Sequence, residues 1–195
     1  MYQIQEFKHL LGLKGLSDTL LTNHFTLYEG YVNNVNKLEE KLNTLLASDQ
    51  TTTPEYAELK RRFGWEWNGM RLHELYFGNL IKEQETSYAS ALYQKINEQF
   101  GSVDAWEKDF RATGAMRGIG WVILAYDAMT DQLTNVWINE HDGGHLSGST
   151  PLLVMDVFEH AFMLDYGIKR ADYIETFFKS IDWKVVNERY DAVVK

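Results

Sequence analysis

From Ser17 onward, apolar and semi-polar residues return every three or four positions: Leu20, His24, Leu27, Tyr28, Tyr31, Val35, Leu38 and Leu42. That period predicts one buried helix face and places His24 on it. The polar stretch from Ala47 to Pro54, with three successive threonines, predicts a connection that turns the chain back. A second helical stretch is expected from Pro54 through Ile81, broken near Gly64, with Met70, His73 and Phe77 facing inward. The first third therefore reads as a helical hairpin offering one histidine from each arm.

Tyr88 to Phe100 continues the helical pattern through Ala89, Leu92, Tyr93 and Ile96 and stops at Gly101; Ser102 then caps a helix with Val103, Trp106 and Phe110 inside. After Gly118-Ile-Gly-Trp121 the period changes. Val122 to Tyr126 and Leu133 to Ile138 are short runs rich in β-branched and aromatic residues around a five-residue loop, Asp127 to Asp131, and Pro151 to Asp156 is a third strand. Helix returns with Tyr173, Ile174, Phe177, Phe178 and Ile181, then Trp183, Val186 and Tyr190. The fold class is α+β: a helical hairpin domain over residues 1–83, then a C-terminal domain over 84–195 with a small three-stranded antiparallel sheet and surrounding helices.

Composition narrows the class of function. In 195 residues, 45% hydrophobic and 24% charged content is ordinary globular usage, and 2 prolines argue against a disordered or collagenous chain. The balance of 19 basic against 28 acidic residues gives −9, which opposes binding to nucleic acid or an anionic membrane. Zero cysteines exclude disulfides, thiolate nucleophiles and iron–sulfur clusters, so any metal must be held by His, Asp or Glu. The amino terminus lacks a signal-peptide pattern and no apolar run is long enough to span a bilayer; the expected location is the cytoplasm.

The segment Asp156-Val-Phe-Glu-His160 places a carboxylate and an imidazole after an apolar strand. Facing His24 and His73 from the hairpin, they would form a site of three histidines and one aspartate, suited to iron, manganese or zinc, with sulfur-free ligands leaning toward iron or manganese. Spacing alone also allows four separate core residues. The aromatic residues Phe77, Trp121, Trp137 and Phe158 read as core packing.

Thr150-Pro-Leu-Leu-Val-Met-Asp156-Val-Phe-Glu-His160-Ala, followed by Leu164-Asp-Tyr and Arg170-Ala-Asp-Tyr-Ile174, closely resembles the carboxy-terminal signature of the iron/manganese superoxide dismutases. Gly118-Ile-Gly-Trp121, Trp137-Ile-Asn, His73, and His24 followed by Tyr31-Val-Asn-Asn-Val-Asn36 extend the resemblance over nearly the whole chain. It implies His24, His73, Asp156 and His160 as ligands of one iron or manganese ion per subunit, with a solvent molecule as fifth ligand. It further implies superoxide as substrate, converted to dioxygen and hydrogen peroxide, and a homodimer in which Glu159 hydrogen-bonds the last ligand histidine of the other subunit.

Several positions depart from the family's pattern. Where a Gln usually stands beside the bound solvent, this chain has Gly69 at one position and His141 at the other, so the resemblance assigns the outer-sphere hydrogen bond to His141, with His145 as the alternative. The usual His and gateway Tyr after the first ligand give way to Tyr28 and Tyr31, one residue closer, and Tyr31 is the gateway candidate. The Tyr expected near the last ligand is replaced by Phe162 and Met163; Arg170 is the candidate for steering the anion, and Arg71 reads as a surface residue. Against the dismutase stand a non-catalytic scaffold with the same fold and a metal-dependent oxidoreductase with another small substrate.

Overall fold

The computed structural model describes residues 1–84 and 90–194. After a short amino-terminal turn, α1 (Asp18–Ala47) and α2 (Pro54–Gly78) form the hairpin; Ser17 and Thr53 cap them by accepting from the amides of Leu20 and Tyr56. Pro54 occupies the first turn of α2, where a missing N–H costs nothing. Helix α2 runs unbroken through Gly64, contrary to the predicted interruption, and ends at Gly78 instead of Ile81. One glycine costs a helix only about 1 kcal/mol, which packing against α1 outweighs.

The buried face of α1 carries Leu20, His24, Tyr28, Val32 and Val35, whereas Leu27, predicted inside, is exposed. Then come α3 (Ala91–Phe100) and α4 (Val103–Gly114), joined through Gly101 at φ 82 and capped by Ser90 and Ser102. The expected start of α3 at Tyr88 and Ala89 lies outside the described residues.

Strands β1 (Gly120–Asp127), β2 (Gln132–Asn139) and β3 (Thr150–Asp156) make an antiparallel sheet in the order β2-β1-β3. The β1–β2 loop is one residue shorter than predicted because Asp127 still pairs, with Gln132. Nearly all of β1 is buried, as befits a central strand covered on both faces. In the sheet Trp121 pairs with Asp156, so the register delivers Asp156 to the sheet end that faces the hairpin. A 3₁₀ turn at Glu159–Ala161, α5 (Met163–Tyr166), α6 (Arg170–Phe178) and α7 (Trp183–Asp191) complete the chain. One hydrophobic core runs from Phe7 to Tyr190 through hairpin and sheet alike.

Candidate metal centre

On α1, His24, Tyr28 and Tyr31 stand at i, i+4 and i+7, within one stripe of a continuous helix. The closer spacing of Tyr31 is thus what a regular α-helix requires to line it up with His24. On α2, His73 lies one turn after Gly69 and donates its Nδ1–H to the Gly69 carbonyl at 2.6 Å. This fixes the tautomer and leaves a lone pair on Nε2.

Asp156 closes β3. Its Oδ1 accepts from the Phe158 amide at 2.8 Å and its carbonyl accepts from the Tyr173 hydroxyl at 2.7 Å, so Oδ2 alone faces the interior. Three imidazoles meet it there: Nε2 of His24 at 3.1 Å, of His160 at 3.2 Å and of His73 at 3.7 Å. One ligand atom from each of the four residues lies within 4.8 Å of all the others. Two donors on opposite sides of one ion would stand about 4.2 Å apart at bonds of about 2.1 Å, so the set is slightly expanded but of the right size.

The electrostatics call for a cation. His73 and His24 are wholly buried, and desolvation lowers both pKa values, that of His73 well below 6.5, so both rings are neutral. Burial pushes the Asp156 carboxyl up, but His160 and His24 together outweigh it and hold the group ionised, below its usual range. A lone pair on His73 Nε2 and a carboxylate oxygen therefore face one point, and His73 Nε2 has no hydrogen-bond partner. A buried acceptor without a donor costs about 1–3 kcal/mol, and a positive ion at that point removes the conflict.

The sequence model of a family described as iron/manganese superoxide dismutases, C-terminal domain, matches residues 88–189. A superoxide dismutase of Aquifex aeolicus named for iron is 37% identical, over 100% of this chain and 94% of its own length. The chain belongs to the iron/manganese superoxide dismutase family. A Haloferax volcanii dismutase named for manganese is 36% identical, over 92% of this chain and 89% of its own. Thus relatives named for either metal stand at nearly the same distance.

Within this dismutase frame, Tyr31 and His141 come together. The Trp121 indole N–H donates to His141 Nδ1 at 3.1 Å, which leaves the His141 proton on Nε2, donated to the Tyr31 hydroxyl oxygen 2.8 Å away. His141 is fully enclosed, and burial lowers its pKa to about 4, so the ring is neutral. Tyr31 stacks on His73 at 5.2 Å, and burial raises its phenol above the ordinary range. Both His141 nitrogens thus have hydrogen-bond partners, in Trp121 and Tyr31, and the ring lies 6.1 Å from that of His73.

The remaining candidates lie elsewhere. Tyr28 is buried, accepts from the Gln5 amide and donates to Glu74, which also binds Arg71; burial raises its phenol to about 12. Its hydroxyl points to that network rather than to Asp156. Exposed His145 reaches the His141 carbonyl at 2.9 Å. Arg170 donates to the carbonyls of Met116 and Gly118 and sits over Phe162, bordering a groove with exposed Glu159.

Sequence reasoning passed over Trp65, whose ring meets His141 edge-on at 4.5 Å, and Arg62 stacked upon it. The signal was available: Arg62, Trp65, Gly69 and His73 recur at steps of three and four on one helix.

Proposed function

We propose that His24, His73, Asp156 and His160 hold the single iron or manganese ion with which this enzyme dismutes superoxide. The observation that carries the reading is the convergence of three imidazole nitrogens on one carboxylate oxygen of Asp156, at 3.1, 3.2 and 3.7 Å. When bound, the ion exchanges one electron at a time: one superoxide is oxidised to dioxygen, and a second is reduced and leaves with two protons as hydrogen peroxide.

The protein's own residues supply position and protons. His141 donates to the Tyr31 oxygen, which leaves the Tyr31 O–H proton free for another acceptor. Trp121 fixes His141 from behind. Neutral His141 and a phenol raised by burial keep these protons in place at neutral pH. Phe77 and Trp121, packed edge-on against His24 and His73 at 4.8 and 4.9 Å, exclude water from the ligand rings. Arg170 adds positive charge beside Glu159.

We read the working unit as a homodimer in the cytoplasm that binds neither nucleic acid nor membrane, with the metal site between the hairpin of residues 1–83 and the remainder. A groove of about 440 Å³ beside Glu159, flanked by exposed Met116, Ile119, Met163 and Ile168, supports a second copy as occupant, and Glu159 would then reach its partner's last ligand. The net charge of −9 supports the absence of nucleic acid, and no helix among the described residues is long and apolar enough to cross a membrane.

The test is reconstitution of metal-free protein with iron and with manganese separately. Metal content and superoxide-driven dye reduction are then measured on each form. One metal per chain with dismutation by at least one form is expected; metal uptake without dismutation would point to another substrate, and no uptake to a scaffold.

A further inference from the structure

Arg62, Trp65, Gly69 and His73 form one stripe on α2. Arg62 stands eleven residues before His73, about 16 Å along the axis at about 1.5 Å per residue, so the stripe leads from solvent to a buried ligand. Between the two, Trp65 packs against His141 at 4.5 Å and against Tyr31 at 5.7 Å. The Arg62 guanidinium lies 3.7 Å from the centre of the Trp65 ring and 2.7 Å from Glu66. This ion pair is lopsided: the arginine side chain is 46% exposed and the glutamate 6%. Its positive end faces water, while Glu66, which also accepts from Asn34, lies beneath.

We propose that Arg62, held flat on Trp65, is the cation that draws the anionic substrate toward the Tyr31 and His141 side of the metal site. The proposal rests on the dismutase reading. It answers a difficulty in the charge distribution, because a chain of net charge −9 repels superoxide and Glu140, which accepts from the Trp65 indole at 3.2 Å, adds a carboxylate beside that tryptophan. Screening over about 8 Å at physiological ionic strength leaves the nearest fixed charge in control. Arg170 has two of its guanidinium nitrogens donating to backbone carbonyls beside Phe162. The stack on Trp65 fixes where the Arg62 charge is held, at low entropic cost for a planar guanidinium.

The experiment compares metal-loaded wild type with Arg62→Gln, Arg62→Lys and the double variant Arg62→Gln/Glu66→Gln. Two quantities are read: kcat/KM for superoxide against ionic strength, and the affinity of the metal for azide, a non-reacting anion, from its absorption spectrum. Arg62→Gln should lower kcat/KM about three- to fivefold at low ionic strength, with the gap closing in high salt, and should weaken azide binding by a similar factor. Arg62→Lys should keep most of both, and the double variant should recover part of the loss by removing the Glu66 charge left without its partner. A wild-type rate for Arg62→Gln at every ionic strength overturns the proposal. So does an equal, salt-independent loss in Arg62→Gln and Arg62→Lys, which would make Arg62 a packing clamp. Wild type that binds metal and azide yet does not dismute would overturn the underlying reading; an Arg62 effect on azide affinity there would still support an anion-guiding cation.

Discussion

The ring of Tyr31 lies so close over Gly69 that a β-carbon built there would come within 2.6 Å of Tyr31 Cδ1 and 2.7 Å of Cε1. The glycine is needed for space, since α2 is regular at that point. Its carbonyl orients His73 and its bare Cα seats Tyr31. Gly69→Ala should therefore push Tyr31 away from His141 and cost about 1–3 kcal/mol by overpacking. The checks are thermal unfolding and the dismutation rate, both expected to fall while metal content stays at wild-type level.

Asp156 is the only carboxylate of the four-residue cluster. Asp156→Asn keeps an oxygen for the Phe158 amide but removes the charge, and Asp156→Ala removes both. Both variants should lose the metal, measured by elemental analysis after reconstitution, while circular dichroism still reports the helices. Wild-type metal stoichiometry in either would refute the ligand assignment.

His141→Ala should leave the metal bound and lower turnover, because Tyr31 loses its donor. The buried Trp121 indole N–H would also lose its acceptor, at a stability cost of about 1–3 kcal/mol. His141→Gln, which can accept from Trp121 and donate to Tyr31, should recover most of that stability. An unchanged rate in His141→Ala would remove this histidine from the proton path.

Acid should destabilise the metal-free protein from about pH 6.5 downward. His24, His73 and His141 all have folded-state pKa values lowered by burial, that of His141 to about 4. The unfolded chain binds protons first, so stability is lost as pH falls from the ordinary histidine value toward each folded one. For His141 alone the loss is on the order of 3 kcal/mol, at about 1.4 kcal/mol per unit between 6.5 and about 4. Thermal unfolding between those two pH values should show a shallower pH dependence in His141→Gln.

Met163 and Ile168 are 45% and 92% exposed on the rim of the Glu159 groove. Met163→Lys combined with Ile168→Lys should shift the protein from dimer to monomer in analytical ultracentrifugation without changing its helix content. A wild-type monomer at micromolar concentration would overturn the dimer.

Much of this protein is legible in one dimension because its elements are amphipathic. Helices α1 and α2 follow their apolar period, with Ser17 and Thr53 as caps, and the strands follow β-branched and aromatic runs. The expected breaks fail where packing decides: Gly64 does not interrupt α2, and Leu27 leaves the buried face because a helix has room inside for only part of its apolar stripe. His24, His73, Asp156 and His160 could be named together only through the family resemblance; the period turns the first two inward and the strand leads to the other two, but spacing alone left open whether they meet.

What the chain alone did not determine is direction. Tyr28 and Tyr31 share one helical stripe, yet one hydroxyl joins Glu74 and the other joins His141, because different neighbours meet each turn of α1. His141 carries no periodic signal in its loop; Trp121, twenty residues earlier, fixes its tautomer. Arg62 reads as one surface charge among many until Trp65 and Glu66 hold it beside Tyr31 and His141. Periodicity encodes which face a residue presents, whereas a hydrogen bond between groups more than a hundred residues apart is set only when hairpin and sheet pack together.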